Sequence, residues 1–279
     1  MRSWLYVPGD APDEMISAAA SGADAIVLDL ADAVPPAARR TARKIVAEYL
    51  RERPLGPPVW VRINPGPLGH DDVRAVFGPG LRGFCLARSE TPTQLHALDS
   101  VLREVEHDAG RSPRSVPVTA VLESAGAVLA APVIARAPRV VRLQLGEADL
   151  RIQLGVRCGP DEAELLWARS QLVLASAAAG IEPPIGPAPV ARLSADGLRR
   201  SGEALRRLGF CGRACLDTSQ VALANEVFTP SAEDVVAARE VLDRYEQATA
   251  DTAMSLDLDP SRVDESVVRA ARRTLATAD

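Results

Sequence analysis

The sequence predicts a (β/α)8 barrel with a C-terminal helical extension, and three observations lead there. Short apolar runs alternate with longer helical patterns along most of the 279 residues. Several of those runs, VWVR, FCLAR, VTAVLE and VRLQLGEAD, stop abruptly at a charged residue. An unpaired charge is costly inside a strand buried on both faces, so charges at successive carboxyl ends point to one polar site gathered from strand tips. Barrels of this class build their active sites there. Finally, 47% of residues are apolar and the mean hydropathy is near zero, enough for one large core at a length usual for a single α/β barrel.

Taken in order, SWLYV (3–7) is the first strand pattern and 12–20 the first helical one, ended by Gly22. AIVLDL (25–30) leads to a helix over 37–51, and VWVRIN (59–64) leads to a stretch where Gly66, Gly69, Gly78 and Gly80 indicate loops. GFCLAR (83–88) precedes a helix at 92–109 that ends at Gly110. VPVTAVLES (116–124) and VVRLQLG (140–146) flank a helical segment at 126–136. A helix at 161–179 ends at Gly180, and PPIGPAPV (183–190) is the weakest strand, because prolines remove ladder donors. A helix at 195–207, closed by Gly209, and the strand FCGRACL (210–216) complete eight units. Alternating units of this kind imply parallel strands with right-handed crossovers.

The organisation expected is a barrel over 1–230 and a helical lid or oligomerisation arm over 231–279. SAEDVVAAREVLDRYEQATA opens that tail with a capping serine and early acids, and ESVVRAARRTLATA ends it.

Composition narrows the function. The net charge is −5 and the pI about 5.4, so no basic field is present to hold nucleic acid. No apolar run approaches the roughly 20 residues that span a bilayer, and the N-terminus shows no signal-peptide pattern. A cytoplasmic protein with no membrane partner is expected. Cys85, Cys158, Cys211 and Cys215 match neither a zinc site nor a disulfide framework, and the spacing of the last two would put both on one side of a strand. Lys44, the sole lysine, lies in a helical pattern, so Schiff-base chemistry from a strand-borne lysine is not expected.

Glu123 and Asp149 end the fifth and sixth predicted strands, and neighbouring carboxylates repel unless a cation bridges them. Oxygen ligands without a nearby histidine favour magnesium. The alternative is that each acid pairs with an arginine such as Arg142 or caps a helix. Arg62 suits bidentate binding of a substrate carboxylate, or else forms a structural pair with Asp29 or Asp32. Of those two acids, one could accept from a metal's water and the other cap the next turn. His70 is placed in a glycine-rich loop on the catalytic face, and His96 and His107 on a helix surface.

These residues resemble a known family. RSWLYVPGDAPDEMISAA, GADAIVLDLADAV, VRIN, VTAVLESAGAV, LGEADLRIQLG, LGFCGRACLD and FTPSAEDVVAA are similar, in order and spacing, to the citrate lyase β-subunit-like (CitE-like) family of the HpcH/HpaI aldolase group, which includes malyl-CoA and citramalyl-CoA lyases. The resemblance implies a Mg2+-dependent barrel that cleaves or forms a carbon–carbon bond in a 3-hydroxyacyl thioester. It makes Glu123 and Asp149 the metal ligands, Arg62 the carboxylate clamp, and Asp264 an acid–base residue placed over a neighbouring subunit's site. A homotrimer or hexamer is therefore expected. Arg62, Asp264, Asp29 and Asp32 are the candidate catalytic residues; Arg62, Arg88 and Glu123 are the candidate substrate contacts.

The chain also departs from the family. Ala31 replaces a usual glutamate, Ala87 and Arg88 a proline and lysine, Arg213 a lysine, and Asp217 and Thr218 a histidine–proline pair. The expected partners are a small 2-oxo acid and an acyl thioester on coenzyme A or an acyl carrier protein. Two alternatives are a metal-dependent aldolase acting on a free 2-oxo or hydroxy acid, and a non-catalytic barrel that binds an acyl thioester.

Overall fold

Eight strands, most of them apolar and buried on both faces, are paired in parallel and in chain order into a closed barrel. They are β1 (Ser3–Pro8), β2 (Ala25–Asp29), β3 (Val59–Ile63), β4 (Leu81–Leu86), β5 (Val118–Leu122), β6 (Val140–Leu145), β7 (Ile185–Gly186) and β8 (Gly212–Cys215). The ring closes where Ser3, Trp4 and Leu5 pair with Arg213, Ala214 and Cys215. The predicted class is the observed one. The computed structural model describes residues 1–52, 55–190, 193–252 and 264–278.

The helices in chain order are α1 (Pro12–Ala19), α2 (Arg39–Glu52), α3 (Gly66–Val76), α4 (Pro92–Asp108), α5 (Ala125–Leu129), α6 (Ala131–Ile134), α7 (Glu147–Leu154), α8 (Leu166–Ala179), α9 (Ala195–Leu208), α10 (Val221–Phe228), α11 (Ala232–Thr252) and α12 (Glu265–Ala278). None of the described helices is long and apolar enough to cross a membrane. The chain forms two compact units, Met1–Val227 and Phe228–Asp279. In the second, α11 and α12 pack on each other.

Residue parity along each strand sorts side chains into two layers. One set, including Leu5, Val7, Ile26, Leu28, Val61, Ile63, Phe84, Leu86, Leu122, Leu143 and Leu145, belongs to the large apolar cluster. Burying each such side chain contributes about 1.5–3 kcal/mol. The alternate set, Trp4, Ala25, Val27, Trp60, Cys85, Val121 and Ile185, forms a second, smaller cluster. Trp4 and Trp60 meet there with ring centroids 5.0 Å apart. Gly83 makes room for them, since a Cβ on it would lie 2.4 Å from Cζ3 of Trp60.

Several local expectations need correction. Gly66, Gly69 and His70 are not in a loop but in α3. Pro67 suits a first helical turn, and Gly69 is required because a Cβ there would lie 1.7 Å from the Asn64 carbonyl oxygen. Glycine and proline here permit a close approach instead of breaking a helix. The expected helix at 126–136 is divided into α5 and α6 at Ala130, just before Pro132. The one at 161–179 starts with a short 3-10 turn, Ala163–Leu165, so its α-helical part begins at Leu166. β7 shrinks to two residues among its prolines. Cys211 and Cys215 do not share a side: the first packs with the inner cluster and the second with the outer, because β8 begins only at Gly212.

A buried charge network ties α4 to the turn before β6. Arg139 donates to Asp99 (2.5 Å) and, through both terminal nitrogens, to Glu106 (2.7 and 2.8 Å), which also accepts from the backbone N–H groups of Arg114 and Val116. Burial opposes ionisation of Glu106, but these donors together outweigh it and bring its pKa to about 2. A carboxyl whose folded pKa is depressed stabilises above its unfolded value, and that contribution is lost as pH falls through the folded one. Denaturant midpoints should therefore decline between about pH 4.5 and pH 2. Glu106→Gln should cost about 3 kcal/mol at neutral pH and flatten that decline.

Candidate active site

Strand ends bring the charged residues together at one end of the barrel. Asp29 and Arg62 are register partners on β2 and β3, which places carboxylate and guanidinium side by side. Arg62 is buried and donates from Nη1 to Asp29 (2.9 Å) and from Nη2 to Asp32 (2.5 Å) and Glu123 (2.8 Å). Asp29 also accepts from the Ala31 N–H (2.7 Å), so it is the acid that caps the turn, while Asp32 reaches toward the cluster. Behind Arg62, Asp72 accepts from Asn64 and Arg43 and so fixes the turn that follows β3.

Glu123 follows β5 and receives two donors, Arg62 and the backbone N–H of Arg88 (2.6 Å). That N–H is aimed by an unusual backbone, because Arg88 has φ +46°. For a residue with a Cβ this costs of order 1 kcal/mol, a strain found most often at functional sites. The Arg88 side chain donates to Asp32 (2.6 Å), so Asp32 bridges two arginines. Burial pushes the Glu123 carboxyl above its ordinary value despite Arg62 and Arg88. Burial also opposes ionisation of Asp32, but there Arg62 and Arg88 prevail and hold it below the usual range.

Asp149 does not end a strand as expected. β6 stops at Leu145, and Asp149 sits in the first turn of α7, where a negative charge suits the helix dipole. The start of α7 is anchored by buried Glu147, which accepts from Arg169 at 2.6 and 2.9 Å; Arg169 also binds Glu162 (2.9 Å). One carboxylate oxygen from each of Asp32, Glu123 and Asp149 lies within 4.8 Å of the others. Three hard oxygen donors with no nitrogen or sulfur among them fit a divalent cation such as magnesium.

These acids border a cavity of about 720 Å3 lined by Tyr6, Asp29, Asp32, Arg62, Arg88, Val121, Glu123, Gln144, Gly146 and Asp149, among others. Gly146 sits beside Glu123, and a Cβ on it would lie 2.3 Å from Cγ of that glutamate. Gly146→Ala should swing Glu123 off Arg62 and the Arg88 N–H, weakening cation affinity at least tenfold in a calorimetric titration. Cys85 lies in the inner cluster, where burial pushes its thiol up to about 12; it is a neutral filler, not a nucleophile.

Not every anticipated residue joins the site. Arg213 is buried on the outer side of β8, bonded to the carbonyls of Leu198 and Pro187. Asp217 caps a short turn by accepting from the Ser219 N–H (2.7 Å), and neither Asp217 nor Thr218 lines the cavity. His70, on α3, does not line it either. Asp264 belongs to the second unit, where its backbone carbonyl accepts from Val267 and Val268 at the start of α12. Tyr6 and Gln144, which the sequence reading passed over, do line the cavity, and Tyr6 donates to Gln144 Oε1 at 2.7 Å. For Gln144 the available signal was polar character at inward parity, shared with Arg142, in the strand VVRLQL.

Comparison with known proteins gives the architecture a family. Residues 2–218 match the family model described as HpcH/HpaI aldolase/citrate lyase. The chain belongs to that family. Among curated members of the HpcH/HpaI group, the citrate lyase subunit beta of Leuconostoc mesenteroides subsp. cremoris is 30% identical, over 100% of this chain and 93% of that protein. An L-malyl-CoA/beta-methylmalyl-CoA lyase of Cereibacter sphaeroides is 31% identical over 89% of this chain and 85% of its own. A crystal structure of CitE from Mycobacterium tuberculosis in complex with magnesium, acetoacetate and coenzyme A superposes with a TM-score of 0.71 at 28% identity, covering 99% of this chain and 97% of that one. Both of these curated relatives are named as lyases.

Proposed function

We propose that this chain is a Mg2+-dependent carbon–carbon lyase of aldol or Claisen type. Its substrate is a 3-hydroxyacyl thioester such as a malyl, citramalyl or citryl thioester, which it cleaves to a small 2-oxo acid and an acyl thioester, or forms from those two. The observation that carries this reading is the convergence of Asp32, Glu123 and Asp149 within 4.8 Å beside Arg62, in a family whose solved members include a magnesium complex.

Glu123 and Asp149 would hold the cation, with Asp32 completing the acidic face. When bound, magnesium polarises a carbonyl oxygen and neutralises developing negative charge. Arg62 makes three hydrogen bonds with Nη1 and Nη2 and retains further N–H groups, so in this reading its guanidinium binds the carboxylate of the 2-oxo acid. Arg88, on the cavity wall, adds a second cation for the anionic substrate. In the cleavage direction a base takes the proton of the substrate hydroxyl, the carbon–carbon bond breaks, and its electron pair leaves with the acyl fragment as a thioester enolate that is then protonated. Asp264 is the acid–base residue in this reading, delivered by the tail (231–279) of a neighbouring subunit in a homotrimer or hexamer. The acyl carrier is coenzyme A or an acyl carrier protein.

Calorimetric titration of the metal-free protein with magnesium, alone and with glyoxylate or pyruvate, tests the proposal. Oxo-acid binding should require the metal and vanish when Glu123 and Asp149 are both replaced by alanine. Absence of binding in the native protein would overturn the reading in favour of a non-catalytic barrel. Turnover of a free hydroxy acid without any thioester would instead select a metal-dependent aldolase built on the same site.

A further inference from the structure

The hydrogen bond between Tyr6 and Gln144 crosses the interior of the barrel. Tyr6 is on β1 and Gln144 on β6, strands that are not neighbours in the ring. Both side chains line the cavity beneath the acids and Arg62. Burial pushes the Tyr6 hydroxyl well above its ordinary pKa, so it stays a neutral donor, here to Oε1 of Gln144 at 2.7 Å. That bond fixes the amide: its oxygen is engaged inward, and its nitrogen makes no hydrogen bond to any described residue. By contrast, Arg62, Asp29, Asp32 and Glu123 are bonded to one another. Val121, the register partner of Gln144 on β5, lines the cavity beside it.

A buried amide N–H held in place and facing a ligand cavity is a selector. An oxygen on the substrate would complete its hydrogen bond, whereas a methyl in the same place would strip it of water and offer nothing in return. Sites built to hydrogen-bond a substrate oxygen reject the isostere lacking it far more strongly than apolar pockets distinguish one methylene.

We propose that Gln144, oriented by Tyr6, determines specificity by selecting 2-oxo acids that carry an oxygen substituent next to the carbonyl over those that carry an alkyl group there. This rests on the lyase reading and names the substrate class of the same site. Gln144 is the contact residue, and Tyr6 is a positioning residue that acts through it.

The pair hydroxypyruvate and 2-oxobutyrate isolates the effect, since they differ chiefly by a hydroxyl in place of a methyl. With magnesium present, calorimetry should show hydroxypyruvate bound at least tenfold more tightly by the native protein. Gln144→Met, which keeps the volume, should abolish or reverse the preference. Tyr6→Phe, which keeps the ring and frees the amide to rotate, should reduce it several-fold, and it serves as the decisive variant if circular dichroism shows Gln144→Met unfolded. A native ratio near one, or a preference unchanged in a folded variant, would overturn the inference and leave the lyase reading standing. If neither acid, nor pyruvate, binds the native protein with magnesium, the lyase reading itself falls and this inference with it.

Discussion

Arg62→Ala should destabilise the protein by about 3–5 kcal/mol, the cost of removing one partner from a buried ion-pair network. The guanidinium is 9% exposed and satisfies Asp29 and Glu123, each 7% exposed, together with the more open Asp32. Without it, several carboxylates face one another with Arg88 the remaining cation bonded to the group. Arg62→Lys should recover little, because a single ammonium cannot reproduce a planar fork reaching three acids. Magnesium offers a positive charge to the same acids, so it should raise the melting temperature of Arg62→Ala more than that of the native protein. Thermal unfolding with and without magnesium measures this, and an equal shift in both proteins would separate the cation site from Arg62. Oxo-acid affinity should be lost in both variants.

Glu123→Gln should lower turnover roughly 10³-fold, because several kcal/mol of charge stabilisation in the transition state depend on the cation. The amide also places a donor against either the Arg62 or the Arg88 N–H, both of which now meet carboxylate oxygens. A comparable loss is expected from Asp149→Asn, with a different stability signature. Asp149 is exposed and its carboxylate makes no hydrogen bond to a described residue, so its variant should shift the denaturant midpoint by the equivalent of well under about 1 kcal/mol, the size of a surface helix-dipole effect. Glu123→Gln should shift it further, since its carboxylate joins buried groups. Equal turnover in Asp149→Asn and the native enzyme would remove Asp149 from the cation site.

The barrel was legible because its strands are buried on both faces and read as nearly unbroken apolar runs, with Asp29, Arg62 and Glu123 marking where the wall meets solvent. What was hidden depends on contacts distant in sequence. The glycines of α3 read as loop residues until the Asn64 carbonyl shows why a small residue is needed. Asp149 looks like a strand tip until β6 is seen to stop short of Gly146. Arg213 looks site-facing until pairing with Ser3 sets its parity outward. Gln144 shares its inward parity with Arg142 in VVRLQLG, but its partner becomes visible only when ring closure brings Tyr6 within 2.7 Å. Asp32 reads as one of two acids near a turn, and its approach to Asp149 follows from geometry that spans most of the barrel.

Two-residue β7 gives the barrel an uneven hoop strength. β6 meets it through one register pair, Gln144 with Ile185, and proline at 183, 184, 187 and 189 withholds the amide protons that would extend the ladder. Cohesion on that side comes from side chains, with Ile185 in the inner cluster and Leu205 packed within 2.8 Å of where a Gly186 Cβ would lie. Side-chain packing yields by small increments, whereas a ladder yields by breaking bonds, so the wall is most compliant beside Gln144. Amide exchange should therefore be faster at the β7 sector than along the arc from β2 to β6, where ladders of several register pairs must open.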